Sequence, residues 1–292
     1  MKQAPFERPA FLPELHDLGA LRGEQVALTG HRGVLGGLLA ERLQAGGVSV
    51  ATFGGDINDA DALLDWCSTL HCRHLFHFAA CVPVTQVEAD PLQAYQTNVI
   101  GTFNLCRAMI RTQPDCWFFQ CSTSHVYQPT SRPEALTESA ATVPATYYGV
   151  TKLAAERLVS DLLGKLGRPW CAGRVFSYSH ARQQPPYLVP SLRERIAALE
   201  DGATLSVRNP SSVRDILDAR DVVDTILQLA LARATGIINI GSGSGWTVRE
   251  LAEAIARQSG RRLTVVGEDL DPPAALIADT TLLRRHLAGL HT

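Results

Sequence analysis

Short apolar runs alternate with amphipathic stretches through the first 175 residues of the chain. Residues 26–29 read as a strand, followed by a glycine-rich turn and a helix over 34–44. A second strand is expected at 48–53 and a helix at 59–69. A third strand follows at 74–78, a long helix at 91–111 and a fourth strand at 116–122. Helical periodicity then covers 147–164, ahead of a strand at 170–175. Strands that alternate with helical segments imply βαβ units and a parallel sheet. Right-handed crossovers cover both faces of such a sheet, so the expected fold is α/β, a doubly wound parallel sheet with ligands at its carboxyl edge.

The pattern changes after residue 175. Residues 180–187 are polar and proline-bearing, 189–199 are helical, and 205–213 read as loop and short strand. An amphipathic helix at 218–233 leads to a short apolar strand at 236–241, and 246–258 and 280–287 are helical. We therefore expect an irregular N-terminal extension over 1–24. A dinucleotide-binding domain is expected over 25–175 with 218–241 returning to it, and a smaller interleaved substrate lobe over 176–217 and 242–292.

Composition narrows the partners. The 292 residues carry a formal charge of −2, which gives no electrostatic ground for nucleic acid or an anionic membrane. No apolar run approaches the ~20 residues of a membrane span, and the N-terminus lacks the apolar core of a signal peptide. Seven cysteines include no CxxC pair, so free thiols in a reducing cytoplasm are expected. His71, His74 and His77 raise a metal site. Their spacing of three puts successive side chains on opposite faces of a strand, and no carboxylate or thiolate set completes a site, so no metal is expected.

Candidate chemistry starts at Gly30-His31-Arg32-Gly33-Val34-Leu35-Gly36, between a strand and a helix. Glycines let the backbone turn tightly beside a pyrophosphate, whose charge the helix N-terminus favours. An acid that would bind a ribose 2′-hydroxyl is missing at the expected tip of the second strand, Phe53 or Gly54. Arg32 could instead face a 2′-phosphate, because a guanidinium matches phosphate geometry. Asp56 is the competing ribose or adenine contact. The expected cofactor is NADP, with NAD as the other choice.

Tyr148-Gly149-Val150-Thr151-Lys152 places a phenol and an ammonium four apart, on one helix face. Only three of the 27 basic residues are lysines, which singles out Lys152. A free tyrosine titrates near ~10, so a nearby ammonium is expected to bring Tyr148 toward working pH, where it can pass a proton to a carbonyl oxygen. Cys121-Ser122-Thr123-Ser124-His125 follows the fourth strand at the carboxyl edge. A hydroxyl there, Thr123 or Ser122, can hydrogen-bond the same oxygen.

These residues resemble an extended short-chain dehydrogenase/reductase, the nucleotide-sugar epimerase/dehydratase/reductase family, over about residues 26–290. The matching pieces, in order, are the Gly30/Gly33/Gly36 turn, Asp56-Ile57, His77-Phe78-Ala79-Ala80, Asn98-Val99-Ile100-Gly101-Thr102, Ser122-Thr123, and Tyr148 with Lys152. Arg214-Asp215-Ile216-Leu217-Asp218 and Asn239-Ile240-Gly241 complete the set. The resemblance implies Tyr148 as acid/base, Lys152 as its tuner and a ribose ligand, and Thr123 as the hydroxyl partner. Cofactor contacts are implied at Gly30, Arg32, Gly33, Val34, Leu35, Gly36, Asp56, Ile57, Phe78, Ala79, Ala80 and Asn98. Ser124, His125 and Arg214 are expected on the substrate, with Arg214 on its diphosphate.

Departures from the family pattern refine the expectation. Dehydratases of this kind carry an acid pair directly after the catalytic hydroxyl, where this chain has Ser124-His125. Epimerase-reductases of the GDP-fucose synthase type place a Cys there, also absent, although the Gly30-His31-Arg32-Gly33 turn resembles theirs. His125 reads either as a second base or as a lining residue. The segment Ser177-Tyr178-Ser179-His180 replaces the family's N-x-Y-G-P. The resemblance thus implies an NADP-dependent reductase of a 4-keto-6-deoxy nucleotide sugar. A 4-epimerase that retains its nicotinamide and a cofactor-binding regulatory subunit are the alternatives, and a homodimer is left open.

Overall fold

The computed structural model describes residues 6–289. Along the chain run β1 (Gln25–Thr29), α1 (Val34–Ala45), β2 (Ser49–Phe53), α2 (Ala60–Ser68), β3 (Cys72–His77), α3 (Val84–Ala89), α4 (Pro91–Tyr95) and α5 (Gly101–Thr112). Then come β4 (Trp117–Thr123), β5 (Ala135–Leu136), α6 (Tyr147–Val159), β6 (Trp170–Val175), β7 (Ser177–Ser179), α7 (Leu188–Ala197), β8 (Thr204–Ser206) and β9 (Val213–Asp218). The last elements are α8 (Ala219–Leu231), β10 (Gly236–Ile240), β11 (Gly245–Thr247), α9 (Val248–Gln258), β12 (Thr264–Val266), β13 (Ala275–Ala278) and α10 (Thr281–Ala288).

Six strands form the main sheet in the order β10-β6-β4-β3-β1-β2, every pair parallel. This is the doubly wound α/β fold the alternation predicts. The chain reverses its direction of strand addition between β1 and β3, which opens a crevice at the carboxyl ends of those strands. Strands buried on both faces explain the near-continuous apolar runs. On one face Leu39, Leu43, Phe76, Trp117, Phe119, Val222 and Ile226 pack α1 and α8 against the sheet. On the other, Leu63, Leu75, Leu105, Met109, Phe118, Val159 and Leu163 pack α2, α5 and α6. A separate core, with Leu192, Ile196, Leu205, Leu251, Ile255 and Val265, joins α7 and α9 to the two-stranded β8–β12 sheet.

Helix starts follow local chemistry. The Asp59 side chain accepts from Ala62 N at the start of α2, Thr146 accepts from Gly149 N at α6, and Thr247 with Glu250 forms a capping box at α9. Where one helix was expected over 91–111, α4 and α5 are joined by a π-turn, Gln96–Ile100. Asn98 lies in that turn, and its carbonyl accepts from Thr102 Oγ1 at 2.7 Å. The short strands β5, β7, β9, β11, β12 and β13 had no sequence expectation as such, apart from loop and short strand over 205–213. Most have two to four residues, and their partners lie far along the chain.

Both ends of the chain pack more closely than the expected division suggests. Residues 6–24 are irregular, as expected, apart from a 3-10 turn at Gly19–Leu21, and Leu12, Leu18 and Leu21 are buried in the core beside α1 and α8. Arg8 bridges Asp221 and Asp224 on α8 at 2.5 and 2.7 Å. Three well-spaced leucines among prolines carry no helical or strand period, so sequence pattern could not register their burial. The expected substrate-lobe helix near the C-terminus, α10, buries Leu283 and Leu287 in that same core, against the main sheet. Residues 1–5 of the expected extension and 290–292 of the expected lobe lie outside the described residues.

Candidate active site

The glycine turn is built by close backbone approach. Gly30 has φ +77°, and a Cβ there would lie 2.4 Å from Ala79 N; a Cβ at Gly36 would lie 2.3 Å from Gly30 O. Gly33 differs, because a Cβ there would meet only Gly30 O, at 3.4 Å. It is the N-cap of α1 and supplies no side-chain cap, so the first N–H groups of a twelve-residue helix open toward the crevice. That donor set fits a pyrophosphate.

A cleft of about 340 Å³ runs from this turn across the carboxyl edge of the sheet. Gly30, Gly33, Val34, Leu35, Gly36, Phe78, Ala80, Thr123, Ser124, His125, Tyr148, Lys152 and Arg214 all line it. Five expected cofactor residues do not. Arg32 reaches the tip of β2, with Nη2 3.4 Å from Gly54 O. Asp56 accepts from the backbone N–H of Asn58 at 2.9 Å. Ile57 is buried against Gly101, Ala79 backs the glycine turn, and the Asn98 amide is committed elsewhere. It accepts from Cys81 N at 2.6 Å and donates to Thr151 Oγ1 at 3.0 Å, which ties the loop after β3 to α6.

Tyr148 and Lys152 project from the first turns of α6, with Thr123 opposite at the end of β4. Burial pushes the Tyr148 phenol well above its ordinary value, and a hydrogen bond from Thr123 pulls the other way. Lys152, expected to lower the phenol, is not among the largest influences on it here. The ammonium is itself pushed down by burial, and the charges that favour it are Cys121 and Glu156. Spacing on one helix face fixed direction but not which neighbour each charge feels. Among the described residues the Lys152 ammonium has no hydrogen-bond partner, and it faces the cleft. A half-buried phenol that holds its proton and an unpartnered ammonium beside it suit protonation of a carbonyl oxygen and contact with a sugar hydroxyl.

Arg214 lies on β9 and lines the same cleft. Its Nη1 donates to the carbonyls of Val213 and Ala274, each at 2.9 Å, and no carboxylate pairs with it among the described residues. Burial pushes the guanidinium down. A half-buried cation with no carboxylate partner among the described residues suits an anion. Sequence reasoning missed Cys121, Tyr178, Tyr187 and Val189 as lining residues. Tyr178 stood in a segment already marked as unusual, whereas Tyr187 ends the polar, proline-bearing stretch as the N-cap of α7 and Val189 lies in the first turn of that helix. Among the described residues no group of three or more His, Cys, Asp or Glu could hold a metal ion, and no helix is long and apolar enough to cross a membrane.

Comparison with known proteins agrees with this geometry. The chain is 28% identical over 260 residues to a UDP-glucose 4-epimerase of Halalkalibacterium halodurans, covering 81% of this chain and 76% of that one. It is 28% identical over 222 residues to a GDP-6-deoxy-D-mannose reductase of Pseudomonas aeruginosa, covering 74% and 72%. In fold it is similar to the P. aeruginosa protein RMD complexed with NADPH, at a TM-score of 0.81 and 24% identity over 91% and 92% of the two chains. A Thermus thermophilus UDP-glucose 4-epimerase in complex with NAD gives a TM-score of 0.78 at 24% identity over 90% and 92%. The family described as GDP-mannose 4,6 dehydratase matches residues 28–280. With most of its length inside that match, the chain belongs to the GDP-mannose 4,6 dehydratase family, among the short-chain epimerases, dehydratases and reductases of nucleotide sugars.

Proposed function

We propose that this enzyme reduces the ketone of a 4-keto-6-deoxy nucleotide sugar with NADPH. The observation that carries the reading is the convergence of Tyr148, Thr123 and Lys152 on one cleft with the glycine turn. The similarity to a GDP-6-deoxy-D-mannose reductase supports it. Ser124 and His125 stand after Thr123 in place of an acid pair, which speaks against water elimination despite the family's name.

The turn Gly30–Gly36 and the N-terminus of α1 would hold the pyrophosphate, Lys152 the nicotinamide ribose, and Phe78 and Ala80 the wall beside it. A bound nicotinamide supplies hydride to the carbonyl carbon. Tyr148 holds the proton that the developing alkoxide takes, Thr123 hydrogen-bonds the same oxygen, and Arg214 pairs with the substrate diphosphate. Val82, Val84 and Val189 line the same cleft and would give the sugar an apolar wall. We assign NADP over NAD because Arg32 stands at the tip of β2, whose last residue is Phe53 rather than an acid. Residues 25–175 with 218–241 serve the cofactor in this reading, and 176–217 with 242–280 the substrate.

Exposed Leu92, Tyr95, Ile100, Tyr147 and Val150 on the outer faces of α4–α5 and α6 support a homodimer. Seven free cysteines suit a reducing compartment, the cytoplasm. The second reading is a 4-epimerase, favoured by the UDP-glucose 4-epimerases among the relatives. One assay separates the two. A reductase consumes NADPH in proportion to a GDP- or dTDP-linked 4-keto-6-deoxyhexose. An epimerase interconverts UDP-glucose and its 4-epimer with no net consumption.

A further inference from the structure

Cys67, Cys72, Cys106 and Cys116 fall in one core cluster, on the face of the main sheet that α5 covers. Two of them touch: the sulfurs of Cys72 and Cys116 lie 3.7 Å apart. A break in strand register makes the contact. Gln25 of β1 pairs with Cys72 but Val26 pairs with His74, so β3 carries one extra residue, Arg73. Without it Cys72 would share the face of His74, whose ring lies 5.9 Å from Trp117 on the opposite side of the sheet. The bulge turns Cys72 onto the face of Leu75, where Cys116 stands two residues before Phe118. Gln113 braces the pair. Its Nε2 donates to the carbonyls of Cys67 and Leu70, each at 2.9 Å, and its Oε1 accepts from Cys72 Sγ at 3.8 Å. Both thiols are buried but close beneath the surface: Cys72 lies between exposed His71 and Arg73, and Cys116 follows exposed Asp115.

We propose that Cys72 and Cys116 form a redox modification site, which a peroxide oxidises to a reversible intrachain disulfide that ties β3 to β4. The site stands at the amino ends of these strands, opposite the cleft at their carboxyl ends, so it is independent of the reaction proposed there. The hydrogen bond from Cys116 pulls the Cys72 thiol down against burial, while the same contact pushes Cys116 up. Cys72 is therefore the attacking sulfur. It gives up its proton and attacks one peroxide oxygen; the S–O bond forms, the O–O bond breaks, and the departing hydroxide takes the proton as water. The Cys116 sulfur then attacks the Cys72 sulfenic sulfur. The S–S bond forms, the S–O bond breaks, and hydroxide leaves with the Cys116 proton as a second water. Two thiols and one hydrogen peroxide thus become one disulfide and two waters. The sulfurs have to close to ~2.05 Å, a shift that side-chain rotation can supply between strands that are already neighbours. A dithiol reverses the bond by exchange.

The test treats the folded full chain with hydrogen peroxide, quenches it in urea with an alkylating reagent, and maps the unreduced peptides by mass spectrometry. Two of the seven thiols should escape alkylation, in a peptide pair that links Cys72 to Cys116 and separates on adding dithiothreitol. Cys116→Ala should leave Cys72 at the sulfenic acid, so that dimedone in the quench adds to Cys72 in this variant and not in the wild type. Cys72→Ala should leave Cys116 alkylated as in the untreated protein. The wild-type map decides the matter even where a variant fails to fold. Seven alkylated thiols after peroxide, or a linked pair other than Cys72 and Cys116, overturns the proposal. Equal dimedone labelling of Cys72 in the wild type and in Cys116→Ala also overturns it, because Cys116 then does not resolve the sulfenic acid.

Discussion

Glu156 on α6 and Arg174 on β6 form an ion pair with Nη2 and Oε2 2.8 Å apart and side chains only 2% and 3% exposed. The Ser122 hydroxyl donates to the same carboxylate, and Arg174 stacks over the Tyr127 ring at 4.6 Å. Glu156 lies one helical turn beyond Lys152, while Ser122 precedes Thr123 on β4. The pair therefore locks the helix bearing Tyr148 and Lys152 to the strand bearing Thr123. Removing one partner strands a buried charge, so Glu156→Ala should cost about 3–5 kcal/mol in urea unfolding. The double change Glu156→Leu with Arg174→Met should cost less than Glu156→Ala alone.

On the proposed reading, Arg32 at the tip of β2 sets cofactor choice. Cofactor titration should show NADPH bound more tightly than NADH. Arg32→Ala should remove most of the difference, roughly tenfold to a hundredfold for a charge-assisted contact of ~1.5–3 kcal/mol. Tighter NADH binding, selectively weakened in Asp56→Ala, would show that Asp56 is the ribose ligand.

Arg214 is assigned to the substrate anion. Arg214→Ala should weaken nucleotide-sugar binding by roughly tenfold to a hundredfold and leave cofactor affinity nearly intact, as read by calorimetry. Equal loss for both ligands would mark the residue as a support for β9 and β13.

Two desolvated histidines, one buried and one half-buried at the cleft, set an acid limit on stability. His77, held between the Thr29 and Thr102 hydroxyls at 2.7 and 2.9 Å, is pushed down to about 3 by burial, and His125 to about 4. Their unfolded values lie near ~6.5, so below that pH the unfolded chain binds more protons than the folded one. Their contribution is full above ~6.5 and declines as pH falls toward 4, by up to about 1.4 kcal/mol per unit for each histidine. Burial raises the Asp215 carboxyl, which works with the opposite sign. Urea unfolding at pH 7 and pH 5 should show the loss, and His125→Gln should reduce its slope.

Sequence pattern found the six main strands and their helices because strands buried on both faces and amphipathic helices leave periods that survive without context. Thr123, Tyr148, Lys152, His125 and Arg214, which it singled out, line one cleft, because the end of β4, the start of α6 and β9 meet there. It did not reveal that Asn98 faces inward as a clasp on Cys81 and Thr151, because an amide reads the same whether it binds cofactor or backbone. Nor did it reveal the burial of Leu12, Leu18 and Leu21 or the docking of α10. Those depend on which surface was left open by elements distant in sequence. The direction of the Tyr148 shift was likewise beyond it, since desolvation is a property of the assembled cleft.

The phenol of Tyr148 is central to the proposed reaction, and the most direct measurement is the single-turnover rate of NADPH oxidation by Tyr148→Phe against a 4-keto-6-deoxy nucleotide sugar. Phenylalanine keeps the ring that packs against His125 and removes only the proton-bearing oxygen. The rate should fall ~10²–10⁴-fold, with the unfolding midpoint and NADPH affinity close to those of the wild type. A Tyr148→Phe enzyme that turns over at a near-normal rate would contradict the mechanism at its centre.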